Sequence, residues 1–328
     1  MSMTIGISIG DPNGIGPEVV LKTFADSELL TVCTPIVYAH FNFVNQQAAH
    51  FDWQLPIERM HDQPKQGVLN VVDCWTESFQ PQYGEVDAKA GQLSVTSLVA
   101  ATANLKKGNI NALVTAPIHK AAIQSEDFRF PGHTDYLAQA FDGDALMFLV
   151  HPDLRVALVT DHVAVKDIAR HITTDRVAQK LNAVAHSLQQ DFGIPNPRIA
   201  VLGLNPHAGD EGVIGEEEVN LLEPMLQTHQ IDKTEISGPF SADAFFGSQS
   251  YKNYDAILAM YHDQGLIPFK TLSFGQGVNF TAGLSAVRTS PDHGTAFGIA
   301  GTGQANPQSF RQAVQTAIEV VKRRNIST

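Results

Sequence analysis

Short apolar runs alternate with helical patterns along the whole chain, and no other feature constrains the fold as strongly. Runs rich in Val, Ile, Leu and Ala are predicted to be strands at residues 4–9, 35–39, 68–72, 112–115, 145–150, 155–160, 198–204 and 255–260. Between them, apolar side chains recur at helical spacing at residues 92–107, 175–190 and 307–324. Strands that alternate with helices are typical of an α/β fold, so we predict a largely parallel sheet flanked by helices.

The length of the chain predicts two lobes. Its 328 residues contain no internal repeat and no long Gly/Ser linker, so a second lobe has to arise from the chain crossing over and back. We predict a first lobe made of residues 1–125 and 282–328, and a second lobe made of residues 126–281.

Charge and apolar content limit the partners. The formal net charge of −12 leaves no basic field that could hold a nucleic-acid backbone. No apolar run approaches the ~20 residues that span a bilayer, and no secretory signal is evident. Cys33 and Cys74 form neither a close pair nor a metal-type spacing, which fits a reducing compartment. We therefore expect a cytoplasmic enzyme that binds neither membranes nor nucleic acids.

Three predicted strands end in a polar turn that carries a histidine, namely His162, His207 and His262. Ligands of open α/β sheets bind outside the carboxyl ends of the strands, so imidazoles repeated at that edge can converge in space. Three neutral imidazoles form a good site for a divalent metal and leave positions open for a substrate.

A simpler interpretation is that each histidine caps its strand or bonds a nearby carbonyl group, as single polar residues at strand ends often do. Repetition on three strands weakens that interpretation without removing it. Carboxylates beside the histidines, including Asp161 and Asp263, are placed to orient imidazoles or to join a metal.

Two glycine-containing turns are candidates for holding an anion. The segment GDPNGIGPE at 10–18 opens a helix but matches neither a dinucleotide fingerprint nor a Walker A loop, so a structural turn is favoured. The segment PGHTD at 131–135 precedes a helical pattern, and its N–H groups and the Thr134 hydroxyl could hold a phosphate. On spacing alone, helix capping by Thr134 or Asp135 is the better explanation.

Lys270, Asn279 and Arg288 follow His262 within one stretch and could supply a local positive pocket. An acidic chain needs such a concentration of cations to bind an anionic substrate. Taken singly, however, Lys270 and Arg288 are typical of solvated surface charges.

Six ordered motifs resemble one known family from end to end. They are GDPNGIGPE at 10–18, TAPIHK at 115–120, GHTD at 132–135, GLNPHAG at 203–209, AMYHDQG at 259–265 and RTSPDHGTA at 288–296. In this order they resemble the 4-hydroxythreonine-4-phosphate dehydrogenase family of vitamin B6 biosynthesis. Six motifs in the same order do not match by chance, so the resemblance is highly specific.

The resemblance implies a role for individual residues. The implied metal ligands are His162, His207 and His262. The implied substrate-binding residues are His133, Thr134, Lys270, Asn279 and Arg288. Asp243, Asp263 and Lys270 are candidate catalytic groups, which would transfer protons or orient the metal ligands and the substrate.

The resemblance also implies a fold and a cofactor. The family resembles the isocitrate and isopropylmalate dehydrogenases, which have two lobes, an active site in the cleft, and no Rossmann domain for NAD. The segments HGTA at 293–296, IAG at 299–301 and ANP at 305–307 resemble the adenosine-binding loop of those enzymes. The implied ligands of NAD, or of NADP, are His293, Gly294, Thr295 and Asn306.

The implied reaction is metal-dependent oxidation of 4-phosphohydroxy-L-threonine by NAD to 2-amino-3-oxo-4-phosphooxybutanoate. This product loses carbon dioxide to give 3-amino-2-oxopropyl phosphate, which leads to pyridoxal 5'-phosphate. One divalent metal per site is expected. Three imidazoles favour zinc, and the nearby carboxylates keep cobalt, manganese or magnesium compatible. A homodimer with shared active sites is also implied.

Several alternatives stay open. Ala244 stands where the family more often has threonine, and a paralogous group oxidises phosphorylated sugar acids such as 4-phosphothreonate. The motifs separate the two groups poorly. A zinc-dependent lyase would use the three histidines but has no use for the nucleotide loop. A non-catalytic sensor of phosphorylated metabolites would not need the metal ligands.

Overall fold

The computed structural model describes residues 3–25 and 28–326. The chain forms two compact units, which are described separately. Unit 1 comprises Met1–Gly143 and Leu284–Lys322, and unit 2 comprises Asp144–Gly283 and Arg323–Thr328. The sequence placed the divisions near 126 and 282. The first division lies later because residues after 126 pack against unit 1, where the side chain of Tyr136 interacts with that of Thr102.

The strands are short and most of their residues are buried. They are β1 Met3–Ser8, β2 Cys33–Ala39, β3 Ile57–Arg59, β4 Leu69–Asp73, β5 Ala112–Thr115, β6 Gly143–His151, β7 Leu154–Leu158, β8 Arg198–Leu202, β9 Glu235–Phe240, β10 Ala256–Ala259, β11 Val278–Leu284 and β12 Arg288–Pro291.

The helices lie between the strands and cover the sheets. They are α1 Gly16–Ala25, α2 Glu28–Val32, α3 Phe41–His50, α4 Ala88–Lys106, α5 His133–Ala140, α6 Ile168–His171, α7 Thr174–Gln190, α8 Glu223–Thr228, α9 Ala242–Gly247, α10 His262–Ser273 and α11 Gln308–Ile326. No helix within the described residues is long and apolar enough to cross a membrane.

Unit 1 contains a parallel sheet in the order β3-β4-β2-β1-β5-β12. Strand β1 is central, and Ile5 pairs with Pro35 on one side and with Ala112 on the other. Strand β12 pairs with β5, with Arg288 beside Leu113. Because the strands are parallel, the residues that follow β1, β5 and β12 lie at one edge of the sheet.

Unit 2 contains a sheet in the order β11-β6-β7-β10-β8-β9. Strands β7, β10, β8 and β9 pair in parallel, and β6 pairs antiparallel with β7. A core of buried side chains lies against these strands: Leu149, Leu154, Val156, Leu158, Ala200, Leu202, Phe245, Tyr251, Ile257, Ala259, Leu266 and Phe269. The parallel strands bring the turns after β7, β10 and β8 to the same edge.

The predicted α/β fold with a mostly parallel sheet is confirmed, and each of the predicted strands and long helices occurs within a few residues of its predicted position. The sequence missed β3, β9, β11 and β12. Strand β12 reads Arg-Thr-Ser-Pro, which has no apolar run, yet all four residues are buried. Strand β9 contains glycine and proline and is half-exposed, so neither alternation nor an apolar run marks it.

Candidate functional site

Two of the three strand-end histidines lie close together in unit 2. The pairing of β7 with β10 continues beyond the strands, because Thr160 N–H and Thr160 Oγ1 both donate to the carbonyl oxygen of Met260, at 3.1 and 2.8 Å. These bonds fix the two following turns beside each other. The ring centroids of His162 and His262 are 6.2 Å apart, with their planes tilted by 35°.

The geometry of this pair suits a shared metal ion. Two imidazoles that bind one tetrahedral zinc ion at about 2.0–2.1 Å have ring centroids about 5 Å apart, so this pair lies about 1 Å wider than that spacing. The Oδ1 atom of Asp263 lies 2.7 Å from His262 Nδ1, so this carboxylate can fix the ring and leave Nε2 for a ligand. Asp161 Oδ2 lies 3.8 Å from Nδ1 of His162, whose side chain is 62% exposed. The donor set therefore fits a divalent metal.

His207 follows β8 in a left-handed turn and is exposed. A nearby carboxylate, Asp243, is also exposed, and its pKa is held below the ordinary value. A hydrogen bond from Ser241 Oγ (2.5 Å) is the largest cause; the Ala244 N–H and the charge of His207 also lower it. Across residues 3–25 and 28–326, no three His, Cys, Asp or Glu side chains converge as a metal site. One chain thus brings His162 and His262 together without His207.

The turns after β10 and β8 are tied to each other by Gln264, a residue that the sequence analysis did not single out. Its Oε1 accepts from the Met260 N–H at 2.7 Å, and its Nε2 donates to the Gly203 carbonyl at 2.6 Å. It lies within the AMYHDQG motif, so the motif was the available signal. Gln264 sets the spacing between the turns that carry His262 and His207.

Lys270 and Asn279 also belong to unit 2. Lys270 is exposed in the last turn of α10, eight residues after His262. Asn279 lies on β11, and its Oδ1 is buried with no hydrogen-bond partner among the described residues. A buried acceptor without a partner is costly. The Asn279 side chain is therefore suited to accept a hydrogen bond from a ligand.

A cluster of Thr115, His133 and Arg288, here called the anion cluster, lies in unit 1. Arg288 is only 3% exposed, and burial lowers the pKa of its guanidinium to about 9, so it keeps its charge at neutral pH. Its Nε and Nη2 donate to Thr115 Oγ1 at 3.2 and 2.6 Å. The interpretation of Arg288 as a solvated surface charge is therefore wrong: β12 carries it into the interior beside β5.

Burial lowers the pKa of His133 well below its ordinary value, and the charge of Arg288 lowers it further, so the imidazole is neutral. Its Nε2 is buried and has no partner among the described residues. In one tautomer this nitrogen donates a hydrogen bond. A neutral N–H donor near a buried guanidinium fits a phosphate or a carboxylate, because both groups would bind an anionic oxygen.

The turn at 131–135 contributes the start of a helix. Helix α5 begins at His133, and no side chain caps it, so the expected capping by Thr134 or Asp135 is wrong. Both residues lie inside the first turn instead. The first-turn N–H groups of a helix have no intrahelical partner, which leaves them able to bind an anion.

The segment 293–306, here called the nucleotide loop, is held in place by charged side chains of α1. Lys22 Nζ donates to the carbonyls of Gly303 and Ala305, both at 2.9 Å, and Glu18 Oε1 accepts from the Ala305 N–H at 2.7 Å. The GDPNGIGPE turn adds a bond from the Ile15 N–H to the Thr295 carbonyl at 3.0 Å. This turn therefore has the structural role predicted for it.

The nucleotide loop offers groups for a ligand. His293 Nδ1 lies 3.1 Å from its neighbour's carbonyl, and His293 Nε2 is buried with no partner among the described residues. A Cβ at Gly294 would meet nothing within 4 Å, so a ligand can approach the backbone there. Asn306 Oδ1 accepts from the Gln308 N–H at the start of α11, which leaves its amide N–H groups as donors. These features fit a nucleotide.

Comparisons with known proteins agree with one another. The chain matches the family described as pyridoxal phosphate biosynthetic protein PdxA over residues 31–317. It is 45% identical to a 4-hydroxythreonine-4-phosphate dehydrogenase of Bacteroides thetaiotaomicron, covering 98% of this chain and 89% of the relative. It is 36% identical to a D-threonate 4-phosphate dehydrogenase of Pectobacterium atrosepticum, covering 98% and 100%. A crystal structure of 4-hydroxythreonine-4-phosphate dehydrogenase from Klebsiella pneumoniae matches with a TM-score of 0.84 and 33% identity, covering 98% of both chains.

Proposed function

The chain belongs to the PdxA family, and from that premise we propose that it is a metal-dependent dehydrogenase of 4-phosphohydroxy-L-threonine. It would use NAD to oxidise the secondary alcohol and would assist the loss of carbon dioxide from the resulting β-keto acid. The observation that carries the proposal is the pair of imidazoles, His162 and His262, held 6.2 Å apart at one strand edge. His162 is exposed and His262 is half-buried, so packing of the core does not explain why the two imidazoles lie together. Binding of a divalent metal would explain it, because imidazole nitrogens are common metal ligands.

Two bound groups would supply the bond-making chemistry. A divalent metal would act as the Lewis acid that favours ionisation of the substrate hydroxyl and then stabilises negative charge as carbon dioxide leaves, while NAD would accept the hydride. The protein supplies position and charge. Asp263 orients His262 through the 2.7 Å contact to Nδ1, so the ligand nitrogen has a fixed direction.

The residues of the anion cluster would bind the charged groups of the substrate. Arg288 offers a buried cation, and His133 offers a neutral donor. The family resemblance adds Thr134, Lys270 and Asn279 as substrate-binding residues. Fixed charges of this kind hold a substrate in the reactive geometry and so lower the entropic part of the barrier. They do not take part in bond-making.

Asp243 is the strongest candidate for accepting the hydroxyl proton. Its carboxylate is exposed and interacts with the charge of His207, which places an acceptor near an implied metal ligand. The bond from Ser241 lowers its pKa and so makes it a weak base, whose proton-accepting role depends on the metal acidifying the hydroxyl. Asp263 is engaged with His262. Lys270 is better placed by charge to attract the substrate than to remove a proton from it. We therefore assign proton transfer to Asp243 and positioning to Asp263 and Lys270.

NAD, or NADP, would bind at the nucleotide loop through His293, Gly294, Thr295 and Asn306. The buried Nε2 of His293 and the open approach to Gly294 support this assignment. Lys22 and Glu18 hold the loop without the ligand, so little ordering cost is added when the nucleotide binds.

We propose that a second copy of the chain covers the edge that carries the three histidines. Exposed apolar side chains follow each histidine, with exposures between 39% and 82%: Val165 after His162; Val213, Ile214 and Val219 after His207; Ile267 after His262. Exposed apolar side chains close in sequence to polar ligands are typical of a surface that a partner covers. A homodimer would bury these groups and create two equivalent sites.

The proximity of His162 and His262 within one chain suggests that the partner subunit supplies the third imidazole, His207. Mixed dimers test this. A His207→Ala chain combined with a His262→Ala chain should form one intact site per heterodimer and regain activity towards half that of wild type. A His162→Ala chain combined with a His262→Ala chain should regain none. The reverse pattern, with subunit exchange demonstrated, would assign His162 and His262 to different chains.

The central experiment measures NADH absorbance with purified protein, 4-phosphohydroxy-L-threonine and each of Zn²⁺, Co²⁺, Mn²⁺ and Mg²⁺. Metal-dependent NADH formation with release of carbon dioxide supports the proposal. Carbon–carbon cleavage without NADH would indicate a metal-dependent lyase. Binding of the substrate without turnover would indicate a sensor.

A second candidate is the oxidation of a phosphorylated sugar acid such as 4-phosphothreonate. The specific observation in its favour is the D-threonate 4-phosphate dehydrogenase that is 36% identical over nearly the whole chain. Ala244 is exposed beside Asp243 and provides no hydroxyl to the substrate. Comparing kcat/KM on the two substrates decides between them, and Ala244→Thr tests whether this position contributes to the preference.

A further inference from the structure

A buried carboxylate lies behind the turn that carries His207. Glu218 is 0% exposed and begins a π-helical turn, Glu218–Leu222, before α8. Its Oε1 accepts hydrogen bonds from the N–H groups of Leu204 (2.7 Å) and Asn205 (2.8 Å), and its Oε2 accepts one from Asn205 Nδ2 (2.9 Å). Three donors therefore bond the segment between β8 and His207 to one carboxylate.

The same carboxylate packs against the backbone on both sides of the histidine. A Cβ at Gly203 would lie 3.1 Å from Oε1, and a Cβ at Gly209 would lie 2.7 Å from Oε2. Glycine at these two positions lets the carboxylate approach the chain closely. Glu218 thus contacts the chain before and after His207.

The turn needs such support because its backbone conformation is unfavourable. Residues 207–211 have consecutive φ values of 54°, 51°, 82°, 47° and 54°, and only one of the five is glycine. Other L residues keep this conformation only where the surroundings over-determine it. The bonds to Glu218 provide that constraint at the start of the turn.

Stability alone is a poor explanation for this arrangement. A buried carboxylate is costly unless its lone pairs are satisfied, and an apolar side chain of similar size would fill the same space without that cost. An apolar side chain could not, however, hold the two N–H groups and the amide that immediately precede His207. We infer that Glu218 is a positioning residue that fixes the His207 imidazole for the divalent metal. This inference rests on the proposed function, which assigns that metal.

The surroundings of Glu218 make even a conservative substitution informative. In Glu218→Gln, one oxygen can still accept from the two backbone N–H groups, but the new NH₂ group then faces Asn205 Nδ2, another donor. Reversing the Asn205 amide would not help. In the wild-type structure Glu217 Oε2 accepts from Asn205 Nδ2 at 2.7 Å, and after the reversal this oxygen would face the amide oxygen, which is another acceptor. No arrangement satisfies all three groups, so the turn should loosen while the residue volume is kept.

The experiment measures metal binding by the full-length protein, without turnover. Zn²⁺ affinity is determined by competition with a chromophoric chelator, and the ligand field is followed by the visible spectrum of the Co²⁺-loaded protein. The variants are Glu218→Gln, His207→Ala and the double variant. Glu216→Gln is the matched control, because Glu216 is exposed in the same segment and its side chain accepts from Asn220 Nδ2 at 3.2 Å.

We expect Glu218→Gln to raise the Zn²⁺ dissociation constant roughly 10- to 100-fold, as for other residues that orient a metal ligand, and to change the Co²⁺ spectrum. Glu216→Gln should change affinity less than about 2-fold. In the His207→Ala background, Glu218→Gln should add nothing, because the residue it positions is gone.

Two results would overturn the inference and leave the proposed function standing. One is a Glu218→Gln protein with wild-type Zn²⁺ affinity although His207→Ala weakens binding. The other is an equal loss from Glu218→Gln with and without His207, which would show a general effect on the fold. Unchanged binding in His207→Ala would overturn the ligand assignment and the inference together.

If Glu218→Gln does not fold, Asn205→Ala replaces it. This variant keeps both backbone donors and removes the amide, and it should weaken Zn²⁺ binding roughly 3- to 10-fold, again only when His207 is present. Unchanged affinity in Asn205→Ala would equally overturn the inference.

Discussion

Replacement of Arg288 should lower catalytic efficiency far more than it lowers stability. Lowering a pKa from 12.5 to about 9 corresponds to a penalty on the order of 5 kcal/mol for the charged form in the ligand-free protein. An anionic ligand offsets that penalty. A hydrogen bond to a charged group contributes about 1.5–3 kcal/mol, so Arg288→Met should cost roughly 2–4 kcal/mol in kcat/KM. This equals a loss of about 30- to 900-fold.

The same substitution should leave the ligand-free protein folded. An apolar residue of similar volume in place of a buried charge is often neutral or stabilising. Against this, Thr115 Oγ1 loses two donors. We therefore expect the free energy of unfolding to change by less than about 2 kcal/mol. Arg288→Lys keeps the charge but loses the forked donors, so its kcat/KM should lie between those of wild type and Arg288→Met.

The assay compares kcat/KM on the phosphorylated substrate and on its dephosphorylated analogue, together with chemical denaturation. The matched control is Arg170→Met, because the Arg170 side chain is 83% exposed and pairs with Asp167 at 3.6 Å. It should change either quantity by less than about 0.5 kcal/mol. The loss from Arg288→Met should shrink on the analogue. An equal loss on both substrates would refute anion binding and indicate a structural role.

Three further predictions concern metal, nucleotide and pH. Alanine in place of any of the three strand-end histidines should sharply lower metal content in elemental analysis, and full retention in the triple variant would exclude this site. His293→Ala and Asn306→Asp should each weaken NAD binding more than substrate binding. Asn306→Asp keeps the acceptor that caps α11 but removes the amide donors. Calorimetric titration of each variant with both ligands checks this. Burial raises the pKa of Asp11 above 3.8, so its contribution to stability is full below pH 3.8 and is lost as the pH rises through the raised value. Asp11→Asn should therefore raise the melting temperature at pH 7.5 but not at acidic pH, and a gain that is independent of pH would contradict this.

Patterns of local sequence predicted most of the fold. The strand that became β5 was predicted with the correct bounds, and α4 and α7 are preceded by Asp87 and Thr173, whose side chains cap the first turn. Apolar residues recur every two residues in half-buried strands and every 3.6 residues in helices. This periodicity is a local property, so it can be recognised from a short stretch of sequence. Strand β12 was not predicted because it is buried through its pairing with β5, which lies far away in sequence.

The candidate site also has features that the sequence could predict and features that it could not. Histidines that follow three apolar runs could be recognised from the sequence, because the end of a strand is a local feature and parallel strands share an edge. The sequence could not show that His162 and His262 pair while His207 lies apart, since that depends on the order β7-β10-β8 and on the left-handed turn after β8.

The sequence by itself thus determined the α/β class and the types of residue at the strand ends, because both follow from the chemistry of adjacent residues. Only the tertiary structure decided which charges are buried. Arg288 and Lys270 looked alike in the sequence, yet Arg288 lies inside unit 1 and Lys270 remains in solvent. In the sequence, Glu218 resembled any acidic residue of an exposed segment. In the structure it is buried and accepts three hydrogen bonds from the segment that precedes His207. The physical reason is that the energy of a charge depends on its solvent and its hydrogen-bond partners, and segments distant in the chain supply both.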